Sequence, residues 1–239
     1  MTESAQRRLI IAIDGPAGAG KSTIASALSK RLGYTNLETG AMYRALGLKA
    51  LENGVSPDDE PALYALAERS VIDLLPTPNG NRVLLDQRDI TALIRAPEVS
   101  DAASRVSVHP NVRRWMVDRQ REMGASGGIV MEGRDIGTAV FPNADVKIFL
   151  DANPDIRAQR RLSQDSNKPG PAKSAEVVAA EMRQRDERDR SRATSPLAPA
   201  PDAVILDSSG LTIEQVVNRA EEIVQRKLRQ LTASAAQPE

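Results

Sequence analysis

Apolar positions along this chain fall into two patterns, short continuous runs and stretches spaced three and four apart. Short runs rich in Val, Ile and Leu recur at Leu9–Asp14, Tyr34–Glu38, Gly128–Glu132, Val146–Asp151 and Ala203–Asp207, and between them lie stretches with helical spacing. Apolar runs without polar alternation are what parallel strands buried on both faces look like. The clearest helical stripe is Ile213, Val216, Val217, Ala220, Ile223, Val224 and Leu228, spaced three and four apart on one face, and it reads as core packing. Strands alternating with helices predict an open, mostly parallel five-stranded α/β sheet with ligands at the carboxyl ends of its strands. One region breaks the rhythm. After a short helix near Pro61 come Val71–Leu75, the turn-rich Pro76–Asn81 and Arg82–Asp86, which predict an antiparallel pair of strands. The stretch is too short for a core of its own, so residues 61–100 read as an insertion into a core made of 1–60 and 101–239.

Chemistry enters directly after the first apolar run. Gly15-Pro16-Ala17-Gly18-Ala19-Gly20-Lys21-Ser22 spells G-x-x-x-x-G-K-[ST], and the residues after it place Ile24, Leu28 and Leu32 on one helical face. A strand that delivers a glycine turn to a helix N-terminus aims backbone N–H groups and the helix dipole at phosphate. In that setting Lys21 reaches the β/γ-phosphates and the Ser22 hydroxyl ligates Mg²⁺.

Composition narrows the partners. The 239 residues carry 32 Lys and Arg against 32 Asp and Glu, without the basic excess needed to grip a long nucleic acid. There is no cysteine, so disulfides and thiolate metal sites are excluded, and the one histidine, His109 before Pro110, reads as the start of a helix. No apolar run approaches a membrane span. Together these features predict a cytoplasmic protein with small-molecule partners. It is expected to be a monomer, on the ground that no apolar face is left over once the helices dock.

The second substrate has to be read elsewhere. Strand ends run into Thr39-Gly40-Ala41-Met42-Tyr43-Arg44 and into Glu132-Gly133-Arg134-Asp135-Ile136-Gly137-Thr138, each delivering an arginine toward the pocket mouth. Arginine fits phosphate bidentately, so a second phosphate site is expected there. Farther on lie Arg157, Arg160 and Arg161, then the run Arg183–Arg192, in which Arg185, Arg188 and Arg192 share one helical side with Asp189 beside it. Asn167-Lys168-Pro169-Gly170 begins like a guanine-reading N-K-x-D motif but has Gly170 where the aspartate belongs, which removes the GTPase reading. Asp151 and Asp207 both end apolar runs and mimic a Walker-B aspartate, so at least one is a decoy. Thr232–Glu239 reads as a frayed end.

The P-loop with its leading Asp14, the Thr39–Arg44 turn, the Glu132–Thr138 turn and Arg185-Asp186-Glu187-Arg188-Asp189-Arg190, in that order, resemble bacterial cytidylate kinases from the first strand to the last helix. The resemblance implies a P-loop NTPase fold, a three-layer α/β/α core with a small inserted α+β NMP-binding subdomain and a lid at about 155–175. It also implies transfer of the γ-phosphoryl of ATP to CMP or dCMP with Mg²⁺. ATP would lie on Gly15, Pro16, Ala17, Gly18, Ala19, Gly20, Lys21, Ser22 and Thr23, with Arg157 and Arg161 closing over its phosphates. Arg44, Arg134 and Arg185 would hold the CMP phosphate, Ser104, Arg113, Asp135 and Arg192 the cytosine, Arg188 and Asp189 the ribose, with Thr39 and Tyr43 in the same site. Lys21, Arg134, Arg157 and Arg161 would be catalytic. Glu38 and Glu132 stand where this family also uses aspartate and receive no role from the resemblance. Two rival readings stay open at the level of sequence. One is a P-loop kinase with a hydroxyl acceptor, shikimate-like, using Asp14 or Asp135 as base; the other is a non-catalytic ATP-sensing module.

Overall fold

The computed structural model describes residues 8–77, 80–165 and 174–235. Strand β1 (Ile10–Asp14) leads through the glycine turn into helix α1 (Lys21–Leu32), followed by β2 (Thr35–Glu38) and α2 (Thr39–Glu52). Then come α3 (Glu60–Glu68), β3 (Ile72–Thr77), β4 (Gly80–Leu85) and β5 (Arg88–Asp89), a 3₁₀ turn (Leu93–Arg95), α4 (Pro97–Val106) and α5 (Pro110–Gly124). The chain returns through β6 (Ile129–Gly133), a π-type turn (Ile136–Val140), β7 (Val146–Asp151), α6 (Pro154–Asp165), α7 (Ala175–Arg190), β8 (Val204–Asp207) and α8 (Ile213–Ala235).

Five strands form one sheet in the order β2-β6-β1-β7-β8, and every pairing in it is parallel. The five apolar runs are these strands, each end within a residue of expectation. Alternation along β1 splits the core into two layers: Ile11 and Ile13 pack with Ile24, Leu28, Val217 and Val224, whereas Ala12 faces Met42, Leu46 and Met116. Because all strands point the same way, the turns that follow Asp14, Glu38 and Gly133 open at one end of the sheet. Gly15 fits there because its backbone passes so close to Leu150 that a Cβ would lie 1.9 Å from the Leu150 carbonyl oxygen, at a φ of 149°.

The irregular stretch forms a separate three-stranded sheet, β3-β4-β5, whose β3–β4 pairing is antiparallel as expected. The two-residue strand β5 has no signature in the sequence. Buried Leu63, Ile72, Leu74, Val83, Ile90 and Ile94 join the same cluster as Met42 and Met131, so the insertion rests on one face of the main sheet. A single side chain also clips it to the edge of β2. Asn81 accepts from Glu38 N at 2.9 Å and donates to the Asn36 carbonyl at 2.8 Å, covering an edge that would otherwise be open.

Two expectations change. Helix α8 continues to Ala235, so Thr232 to Ala235 are helical where fraying was expected, because the stripe that ends at Leu228 docks the helix on the sheet; 236–239 lie outside the described residues. The expectation that no apolar face is left over is not met either, since Val204 and Ile205 on the edge strand β8 and Ile213 at the start of α8 remain 42%, 64% and 60% exposed. The Asn167–Gly170 segment and the centre of the expected lid fall outside the described residues. Among the described residues no helix is long and apolar enough to cross a membrane.

Helices α2 and α4 cross at Gly47, where a Cβ would lie 3.0 Å from Ala103 N and 3.3 Å from the Ala102 Cβ. Gly47→Val is therefore expected to force the helices apart and lower stability by about 1–3 kcal/mol. Thermal unfolding reads this as a fall in Tm of roughly 2–4 °C per kcal/mol.

Candidate active site

The turns at the carboxyl end of the sheet, together with α4 and α7, enclose a cavity of about 480 Å³, within the range that takes a small ligand. Gly18, Gly20, Lys21 and Ser22 form one wall; Arg44, Arg134, Arg161 and Arg185 face it; Ser104, Arg113, Asp135, Asp189 and Arg192 line the deeper end. Residues as far apart as 18 and 192 thus converge on one space. Thr39 and Tyr43 line it as well, as do Thr23 and Arg188.

On the P-loop side, Lys21 is buried and its Nζ donates to the Pro16 carbonyl at 2.7 Å. Burial brings its ammonium down to about 7, with the Arg134 charge next in weight and Glu132 opposing. The Ser22 hydroxyl donates to Glu132 Oε1 at 2.8 Å. Burial, and then the Glu38 carboxylate, raise the Glu132 carboxyl above its ordinary range.

The opposite wall is a concentration of positive charge. Burial pushes the Arg185 guanidinium down to about 9, and the neighbouring charges of Arg134, Arg44 and Arg161 add to that. Arg192 is likewise pushed to about 9, by burial and then by Arg113. Carboxylates interleave with these cations. Asp189 accepts from Arg134 Nε at 2.8 Å on one oxygen and from Arg192 on the other. Arg113, 1% exposed, donates to Asp135 and, at 2.9 Å, to the Ser107 carbonyl, with its guanidinium over the Tyr43 ring at 5.8 Å from the centroid. Glu38 pairs with Arg44. Several polar atoms are left over: Ser104 Oγ and the Nε atoms of Arg44, Arg113, Arg185, Arg188 and Arg192 are buried without a hydrogen-bond partner. All of these residues line the cavity, and unmet polar atoms gathered around one space are a feature of a site built for a polar ligand.

Not every expected residue sits at the cavity. Arg157, expected over the phosphates, lies beneath the P-loop. It is buried and donates to the Ala17 carbonyl at 3.0 Å, to the Ala152 carbonyl at 3.0 Å and to Asp186 Oδ2 at 2.5 Å. Asp186 also accepts from Ala17 N at 3.3 Å. The pair braces the loop from below. Arg161 is at the cavity, paired with Asp165 at 2.9 Å, while Arg160 is spent on Ser208. Arg188 reaches across to Asp101 on α4 at 3.6 Å. Asp151 and Asp207 cap local turns at Ala152 and Ser209 and do not line the cavity. His109 starts α5 as expected and donates to the Pro57 carbonyl at 2.9 Å.

Sequence reading missed Arg95 and Asp101, which line the mouth, and the carboxylate brace of Asp186. No motif marks the first two, which lie just before α4 and on it, where only tertiary packing brings them near the P-loop. Asp186 was visible as part of the Arg185–Arg190 motif, but with no role attached to it.

A family model described as Cytidylate kinase matches residues 11–226. Relatives under that name include one from Solibacter usitatus (strain Ellin6076), 51% identical over 229 residues, with 95% of this chain and 97% of the relative covered. Another, from Geobacillus kaustophilus (strain HTA426), is 48% identical over 223 residues, covering 93% of this chain and 99% of the relative. Among solved structures, an uncharacterized protein from Eubacterium ventriosum ATCC 27560 superposes with a TM-score of 0.51 at 8% identity, over 91% of this chain and 99% of that one. At that identity the likeness is one of fold alone.

Replacing Arg157 by Met leaves Asp186 buried and unpaired under the P-loop. The expected cost is about 3–5 kcal/mol of unfolding free energy. Urea unfolding checks this, and the double variant Arg157→Met/Asp186→Leu should recover part of the loss.

Proposed function

The chain belongs to the cytidylate kinase family, which makes it an enzyme that phosphorylates CMP from ATP, and from that premise we propose how its residues divide the work. ATP lies along the P-loop, its phosphates on the loop's N–H groups and Lys21. The CMP phosphate occupies the space between Arg44, Arg134 and Arg185. The observation that carries this assignment is the set of mutually repelling guanidinium groups around Arg185, which a phosphate dianion facing the P-loop relieves. Arg161, at the mouth, is the lid arginine; Arg157 acts from beneath as a brace.

Cytosine fits the deeper end. Its N4 amino group donates while N3 and O2 accept, which calls for a carboxylate, Asp135, beside donors, Arg113, Arg192 and the unpartnered Ser104 hydroxyl. Uracil would set a carbonyl against Asp135, acceptor against acceptor, at a cost on the order of a few kcal/mol. Asp189, held between Arg134 and Arg192, and Arg188 lie beside the ribose; dCMP, which lacks only the 2′ hydroxyl, fits the same reading.

No general base is required. The attacking oxygen belongs to a phosphate whose second pKa is about 6, already largely ionised at neutral pH. Catalysis is positioning and charge neutralisation: Lys21, Arg134 and Arg161 meet the charge that develops on the transferred phosphoryl group. For the metal, the Ser22 hydroxyl against Glu132, with the Glu38 carboxylate nearby, is an all-oxygen donor set of the kind that suits Mg²⁺, which takes one or two carboxylates beside substrate phosphates. These residues would hold Mg²⁺, which supplies charge neutralisation at the phosphate oxygens. Residues 61–100 serve as the NMP-binding subdomain of a core made of 1–60 and 101–239, and with the lid they shut water out. ATP and CMP are metabolites of the cell interior, and the proposal places the enzyme in the cytoplasm.

Coupled ADP release with ATP and Mg²⁺ tests the reading. CMP and dCMP are expected to turn over far faster than UMP or AMP; equal rates with UMP would overturn the base-reading pocket, and no nucleotide turnover would overturn the activity. Arg185→Ala should raise the KM for CMP by roughly 10- to 100-fold, the worth of a lost charge-assisted contact, with the KM for ATP little changed.

A further inference from the structure

Asp14 ends β1 one residue before the P-loop, is 5% exposed, and does not touch the cavity. Both of its carboxylate oxygens are engaged across the sheet: Oδ1 accepts from Ile136 N at 2.8 Å and Oδ2 from Gly137 N at 2.7 Å. Those are the first two donors of the π-type turn Ile136–Val140, the N–H groups a helical segment cannot satisfy from within. Ordinarily the N-cap side chain satisfies one such donor, at the second or third position, and aspartate is among the best at doing so. Here the N-cap residue is Asp135, in a non-helical conformation at φ −147° and ψ 26°, yet its side chain makes no capping bond. It points instead to Arg113.

We propose that Asp14 is a positioning residue that caps this turn in place of Asp135, so that the Asp135 carboxylate is free to face Arg113 and the base. The idea rests on the reading that Asp135 recognises cytosine. Asp14 and Gly133 are also register partners across β1 and β6, so the same carboxylate fixes the turn bearing Arg134 and Asp135 against the strand that leads into the P-loop. A carboxylate with both oxygens occupied by backbone N–H groups is not placed as a proton acceptor for a substrate hydroxyl, the role a hydroxyl-acceptor kinase would have asked of it. Without Asp14, the Gly137 N–H, at the second position of the turn, is a donor of the kind the turn's own N-cap carboxylate captures, and Asp135 is drawn back from the pocket.

The test is the ratio of kcat/KM for CMP over UMP in Asp14→Asn, Asp135→Ala and the double variant. Asp14→Asn keeps the size of the side chain but leaves one acceptor oxygen for two N–H groups. Asp135→Ala should lower the ratio by about 100-fold, the upper end of what one base-reading contact contributes to discrimination. Asp14→Asn should lower it by about tenfold or more, and the double variant no further than Asp135→Ala alone, because both changes remove the same interaction. If Asp135→Ala leaves the ratio unchanged, the cytosine reading fails. If Asp135→Ala collapses the ratio while Asp14→Asn only lowers Tm, Asp14 is a structural residue and the positioning role is wrong. Asp14→Ser, with one hydroxyl acceptor, gives the same comparison should Asp14→Asn fail to fold.

Discussion

Bringing guanidinium groups together at the end of a glycine turn is unfavourable unless carboxylates are interleaved with them. Two like charges about 6 Å apart repel by roughly 3 kcal/mol at an effective dielectric of about 20. The molecule answers with acids set against these cations, three of them buried: Asp189 between Arg134 and Arg192, Asp135 against Arg113 and Asp186 against Arg157, with the half-buried Glu38 against Arg44. The compensation is incomplete around Arg185, and that residue of positive potential faces the P-loop. Under the proposed assignment, a folded state that tolerates this repulsion is preorganised for phosphate, since the ligand supplies the charge the protein withholds.

The sheet makes that arrangement possible. Parallel strands deliver the P-loop, the Thr39–Arg44 turn and the Gly133–Gly137 turn to the same end, so residues more than a hundred positions apart meet without long loops. The insertion and α7 then close the sides. Asn81 ties the insertion to the backbone of β2 next to Glu38, and the Arg188–Asp101 contact links α7 to α4 across the mouth. The acceptor side is therefore built from three parts of the chain, each anchored by a polar contact, on a core whose two apolar layers flank the sheet.

Burial gives several side chains at the site a different character from their surface counterparts. Lys21 and Asp14 are both drawn toward about 7, from opposite directions, because each is desolvated. Two backbone N–H bonds oppose the rise at Asp14, and the Glu132 and Asp14 charges oppose the fall at Lys21.

Much of this was legible in the sequence. The five strands announced themselves because parallel strands buried on both faces need continuous apolar runs. The P-loop did so because phosphate binding by backbone N–H groups demands glycine at fixed spacing and a lysine after it. The arginines of the Thr39–Arg44 and Glu132–Thr138 turns could be found because they directly follow such strands. What the sequence did not show is which charge faces which. Arg157 and Arg161 are four residues apart on one helix, yet one lies under the P-loop and the other lines the cavity, a difference set by a carboxylate at position 186. Asp14 looked like a strand-ending acid that could serve as a base, and only the return of the chain at Ile136 and Gly137 gives both its oxygens partners. Local pattern determines elements because it follows from backbone geometry and the burial of apolar faces. Charge pairing is decided by tertiary structure, because it depends on distances between residues that the sequence keeps far apart.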